Sequence, residues 1–164
     1  MPYLLGQQEG DNYDEHEEKR RISENDSYIC SLIREDLLDD FISYVLRSNF
    51  NIRSKIERSK YETNCFLIYK EPTIIEYAAF YGSIQVFQYL LLNNVELTPS
   101  LWIYGIHSNN AELIHLLERQ KIAPPNKLYK ECRNEAIKCH HNDIARYIIN
   151  NYIPKKNSGL QFEP

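Results

Sequence analysis

A pattern that returns about every thirty residues fixes most of what this chain can fold into. The run TIIEYAAFYGSIQVFQYLLLNNVEL, starting at Thr73, holds two helical periodicities split at Gly82-Ser83. Ile75, Ala78 and Ala79 recur at helical spacing in the first, and Val86, Tyr89, Leu90 and Leu91 in the second. Thr73 and Glu76 have the spacing of a capping box, and Ser83 stands where the second helix needs an N-cap. Asn93-Asn94 ends that helix, because Asn is second to Gly in tolerating a left-handed cap. A shift of 27 repeats the pattern in SLWIYGIHSNNAELIHLLERQKI, where Gly105 and Ile106 fall on Ala78 and Ala79. Asn109 then falls on Gly82, and Leu113, Leu116 and Leu117 fall on Val86, Tyr89 and Leu90. A further shift of 31 gives ECRNEAIKCHHNDIARYIINNYI, with Ala136 in the Gly105 place and Ile144, Tyr147 and Ile148 in the second helix. A fainter copy lies upstream, with Phe41, Tyr44 and Val45 on the second helix and a first helix near Ser27 to Arg34.

A row of helix pairs buries its apolar faces by stacking neighbours, so the expected fold is all-α: a helical repeat solenoid of about four pairs, with little or no strand. The small residues Ala78, Ala79, Gly105 and Ala136 are expected to let first helices approach closely. Residues 53–72 interrupt the row. There Cys65 to Tyr69 reads as a short strand or an extended, buried arm, and this longest link marks a binding face. The boundaries follow: an acidic, partly flexible segment over 1–26, the repeats over 27–153 and a tail over 154–164.

Composition narrows the function. The five glycines never take the spacing of a dinucleotide or phosphate loop. Net charge is −4, and residues 1–27 hold eight acids against three bases, so the body is near neutral and lacks the basic stripe of a nucleic-acid binder. No apolar run reaches a membrane span, and the N-terminus lacks the basic flank of a signal peptide. A cytoplasmic setting, with four cysteines as thiols, is the expectation.

Chemistry-bearing residues are few. Cys132, Cys139, His140 and His141, with His107 and His115 one repeat earlier, are the only metal-like group. They lack a zinc knuckle, and they read as a core thiol at Cys132 plus turn histidines. Adjacent Cys139 and His140 diverge on a helix and make no nucleophile–base pair. Asp36, Asp39 and Asp40 read as a solvated face. No metal, cofactor or catalytic residue is expected, and Trp102 reads as core.

Thr73, Ala78, Ala79, Gly82, Val86 and Leu90 sit where the ankyrin pattern has its Thr, Ala-Ala, Gly, Val and Leu. Ile74 replaces its Pro, Glu76 its His, Ser83 its second His and Asn94 its late Gly. The phrases ENDSYICSLIREDL, ETNCFLIYKEPTIIEYAAFYGSIQVFQYL, NNVELTPSLWIYGIHSNNAELIHLLE and EAIKCHHNDIARYI resemble a lineage-expanded group of ankyrin-repeat proteins of trichomonad protists. That group carries an N-terminal helical domain of unknown function. The resemblance covers about residues 6–153 and implies a non-enzymatic module that binds a protein partner on its concave face. It places Tyr77, Phe80 and Tyr81, then Tyr104, His107 and Ser108, then Glu135, Lys138 and Cys139 along that face. Tyr77, Phe80, Tyr81, Tyr104, His107 and Lys138 are the expected contacts, and Tyr77 and Tyr104 are expected to be removable without loss of the fold. The other reading is a structural fragment of a longer array. There the last helix, with Ile144, Ile148 and Ile149 and no evident polar cap, would pair with another copy.

Overall fold

The computed structural model describes residues 15–21, 23–124 and 129–154. Every regular element among them is a helix, and the one β-bridge joins Lys55 to Thr73. The chain divides into two compact units, residues 1–96 and 97–164. The first contains α1 (15–21), α2 (Tyr28–Arg34), α3 (Leu38–Ser48), α4 (Cys65–Lys70), α5 (Ile74–Tyr81) and α6 (Ile84–Leu92). The second contains α7 (Leu101–His107), α8 (Ala111–Arg119), α9 (Tyr129–Lys138) and α10 (Asn142–Tyr152). Among the described residues no helix is long and apolar enough to cross a membrane.

In the first unit α2 pairs with α3 and α5 with α6, and the pairs stack first helix on first and second on second. In the second unit α7 pairs with α8 and α9 with α10, and α7 packs on α9. The register read from the sequence returns in the backbone at Gly82, Asn109 and His140. In the first pair the mark falls on Asp36, one residue before the place that laying Phe41 on Val86 gives. Each turn between paired helices ends on a left-handed residue: Asp36, Gly82, Asn109 and His140, with φ of 53°, 70°, 52° and 61°. Asn49, Asn94 and Lys121 do the same after α3, α6 and α8. The next amide then reaches back over the last turn, as Leu37 N–H does to Leu32 O, Ser83 N–H to Ala78 O and His141 N–H to Ala136 O. These bonds satisfy helix-end carbonyls that would otherwise lack partners.

The caps follow the sequence in part. Thr73 and Glu76 make the expected capping box. Asn64 and Asn110 each accept from two amides at the start of α4 and α8. Ser83 sits at the N-cap of α6 but spends its hydroxyl on Ile33 O, and the α6 cap comes from the neighbouring pair. Asp36 accepts from Gln85 N–H at 3.0 Å and Val86 N–H at 2.9 Å. Asp36 is thus no part of a solvated face, whereas Asp39 and Asp40 are exposed as expected.

The insertion also departs from expectation. Cys65 to Tyr69 is helical, because Asn64 nucleates α4; only Leu67 of it is buried, and Tyr69 is 81% exposed. Its two ends are pinned together, by Ile56 N–H to Pro72 O at 2.7 Å and Ile74 N–H to Ser54 O at 3.1 Å. It is also sewn to the segment before α2. Asn25 donates to Glu57 O at 2.8 Å, Ser59 to Asp26 at 2.7 Å, and Thr63 N–H to Ser23 O at 3.2 Å.

The second unit is built around Trp102, fully buried as expected, whose indole N–H donates to Ile122 O at 2.7 Å. Tyr129 and Tyr152 stack at 4.2 Å and both meet the Trp102 ring edge-on. Gly105 serves its own pair more than its neighbour: a Cβ there would lie 3.2 Å from Leu117 Cδ1 of α8. On α10, Ile144 and Ile148 are buried and the exposed positions include Asn142, Asp143, Arg146 and Asn150, so the helix has a polar outer face after all. Only Ile149, 38% exposed, breaks it.

Glu118 collects Tyr147, Tyr152 and His115 around one carboxylate. Burial would raise its pKa, but the hydrogen bonds from Tyr152, His115 and Tyr147 outweigh that and hold it below the usual carboxylate range. A depressed folded-state pKa adds stability above the unfolded pKa and loses it as pH falls through the folded value. Acid titration of stability should therefore show a loss in that window that Glu118→Gln flattens. Asp36→Ala should cost ~1–2 kcal/mol in urea unfolding, the usual worth of a strong cap. Asp36→Gly, which keeps the left-handed backbone at ease, should lose the part that belongs to the cap and spare the part that belongs to φ.

Candidate functional site

The expected contact residues fall three in each unit, and the structure sorts them by exposure. In the first unit Tyr77 is 1% exposed, whereas Phe80 and Tyr81 are half-buried at the end of α5. Tyr77 is core because α2 covers it. Arg34 Nη1 donates to its hydroxyl at 2.9 Å and to Asn25 O at 2.8 Å, while Nε holds Glu24 at 2.8 Å. The Tyr77 and Tyr81 rings lie 4.8 Å apart, and the Arg34 guanidinium sits 6.0 Å from the Tyr81 ring centre. Phe80 stacks on Phe66 of the insertion at 5.9 Å. Burial drives the Tyr77 hydroxyl well above the ordinary tyrosine range and pushes that of Tyr81 up to about 12, so both stay neutral donors. At this end of α5 the accessible aromatic area belongs to Phe80 and Tyr81, both half-buried.

In the second unit Tyr104 is 3% exposed and belongs to the core. The expected exposure of Tyr77 and Tyr104 does not hold. Each lies one residue before a fully buried small residue (Ala78) or a glycine closely packed on α8 (Gly105), on the side of the helix that its neighbours cover. His107 and Lys138 do reach the surface, half-buried and exposed respectively. They are joined through Glu135, whose Oε1 lies 3.2 Å from His107 Nε2 and whose Oε2 accepts from Lys138 Nζ at 3.1 Å. Cys139 Sγ lies 3.6 Å from the other ring nitrogen, Nδ1.

This polar knot on α7 and α9 was not read as a group from the sequence, although its signal was there. A shift of 31 lays Tyr104 on Glu135, His107 on Lys138 and Ser108 on Cys139, and stacked first helices bring such columns together. Of the metal-like group seen in the sequence, the structure brings Cys139 and His107 together and disperses the rest. Cys132 is fully buried, and burial pushes its thiol up to about 12; His140 is exposed in the turn, and His141 is bonded to Ile106 O through Nδ1 at 2.8 Å. Burial, with Glu135 adding to it, raises the Cys139 thiol, and burial lowers the His107 imidazole against the pull of Glu135. Both shifts favour the neutral pair, the opposite of the thiolate–imidazolium arrangement an activated cysteine needs.

Cutting the two buried tyrosines will therefore damage the fold. Tyr77→Ala and Tyr104→Ala should each cost about 3 kcal/mol or more, as for other buried aromatics. Tyr77→Phe should cost less, about 1–2 kcal/mol, because the ring stays and only the hydroxyl's bonds, with Arg34, Cys30 and Tyr81, are lost. Chemical denaturation of the three variants checks this order. Compared with known protein families, curated proteins and solved structures, the chain gives no match.

Proposed function

We propose that the chain is a non-enzymatic protein-interaction module, an ankyrin-like solenoid of helix pairs that holds a protein partner on the face formed by its first helices. The observation that supports this reading best is the recurrence of one left-handed residue in the turn of every pair, at Asp36, Gly82, Asn109 and His140. A repeated turn implies repeated pairs, and stacked pairs present equivalent positions as a surface without building a catalytic cleft. The equivalent positions that remain accessible are Phe80, Tyr81, His107, Glu135, Lys138 and Cys139. Each unit supplies its own contact material: aromatic area at the end of α5 in the first, and a charged knot on α7 and α9 in the second. A reducing, cytoplasmic setting fits cysteines that stand as free thiols at positions 30, 65, 132 and 139.

The test is affinity capture with the purified chain and two variants matched for melting temperature. Tyr81→Ala combined with Lys138→Glu should lose at least tenfold in retention of a captured protein. Asp40→Lys, an exposed change on α3, should retain it. Equal capture by both variants would remove the first-helix face from the reading.

A further inference from the structure

We propose that His107, Glu135 and Cys139 form a binding site for a single divalent cation of the zinc class. This inference concerns a ligand, not a protein partner, and stands independently of the interaction reading. One ligand atom from each of the three residues lies within 4.8 Å of the others. The Cys139 Sγ to His107 Nδ1 distance is 3.6 Å. Tetrahedral zinc with Zn–S of about 2.3 Å and Zn–N of about 2.1 Å places sulfur and nitrogen about 3.6 Å apart, so these two atoms already stand at ligand spacing.

The scaffold explains why the three converge. Cys139 N–H donates to Glu135 O at 3.0 Å, so the helical turn of α9 runs on to Cys139 and both side chains leave one face. His107 is the last residue of α7, the helix packed on α9. Lys138 donates to Glu135 Oε2, and Oε1 faces His107 Nε2, the ring nitrogen away from Cys139. To join a cation held at Nδ1, the carboxylate leaves Nε2 and swings toward Cys139. The His107 and Glu135 side chains are only 15% and 20% exposed, so the site is sheltered without being sealed. Thiolate, imidazole and carboxylate together select zinc over magnesium or calcium, which take oxygen ligands alone. Water completes the fourth position. Binding is coordination without redox change: the cation replaces the Cys139 S–H proton, which passes to solvent. Cys132, buried in the core, and His140, exposed in the turn, take no part.

The experiment is a cobalt titration of the metal-free full chain, followed by displacement with zinc. A thiolate-to-cobalt charge-transfer band should grow to saturation at one equivalent and vanish as zinc is added. Cys139→Ser should abolish the band; His107→Asn and Glu135→Gln should weaken binding about tenfold or more, with unchanged far-ultraviolet circular dichroism. Cys65→Ser and His140→Ala should leave it intact. Zinc should also raise the melting temperature of the unmodified chain and not that of Cys139→Ser. A titration without the band overturns the proposal and leaves a thiol–imidazole hydrogen bond. So does a band that survives Cys139→Ser or disappears with Cys65→Ser.

Discussion

Helices of six to eleven residues cannot support themselves, and every helix among the described residues falls in that range. An isolated helix is marginal below ~12–15 residues, because the first turn fixes several dihedrals for one hydrogen bond. Stability must come from contacts between helices, and the sharp reversals between paired helices bring them into contact. A left-handed residue at each reversal lets the chain turn within two or three residues while the last carbonyls still find donors. Gly does this freely at Gly82, and Asp and Asn nearly so at Asp36 and Asn109. His140 and Lys121 carry more strain at the same place. The choice of turn residue and the presence of a stacked core are thus one constraint seen twice.

That constraint explains what could be read from the sequence. The four pairs, the Thr73–Glu76 box and the asparagine turns depend on spacing within about 30 residues, so they were visible as periodicity. Trp102 and Cys132 were visible as core because each falls on an apolar register position. Cys65 to Tyr69 was ambiguous for a physical reason: a five-residue apolar run fits a strand or a helix, and the deciding group is Asn64 outside it. Tyr77, Asp36 and the His107–Glu135–Cys139 group depend on partners 43, 49 and 32 positions away. Periodicity says which face a residue takes. It says nothing about which side chain arrives from the next pair to cover it.

What stays accessible in each unit is accordingly smaller and more polar than a column of tyrosines. Tyr77 in the first unit and Tyr104 in the second are core residues of the helices that carry Tyr81 and His107. Arg34 adds rigidity, because one guanidinium binds Glu24, Asn25 O and the Tyr77 hydroxyl together. A side chain held in this way loses little entropy when a neighbouring ring is used for binding.

Asp36 joins the two helix pairs of the first unit in a manner that packing alone does not. Its carboxylate belongs to the turn of one pair, and the amides it holds open the second helix of the next. Fraying at the start of α6 therefore strips a partner from a charged group in the preceding turn, and disturbance of that turn uncaps α6. In the language of one-dimensional chains, the residue supplies a nearest-neighbour coupling instead of an intrinsic stability. Such a coupling narrows the unfolding transition more than it raises its midpoint, and it makes the protection of the Gln85 and Val86 amides a reporter on a helix pair to which neither residue belongs.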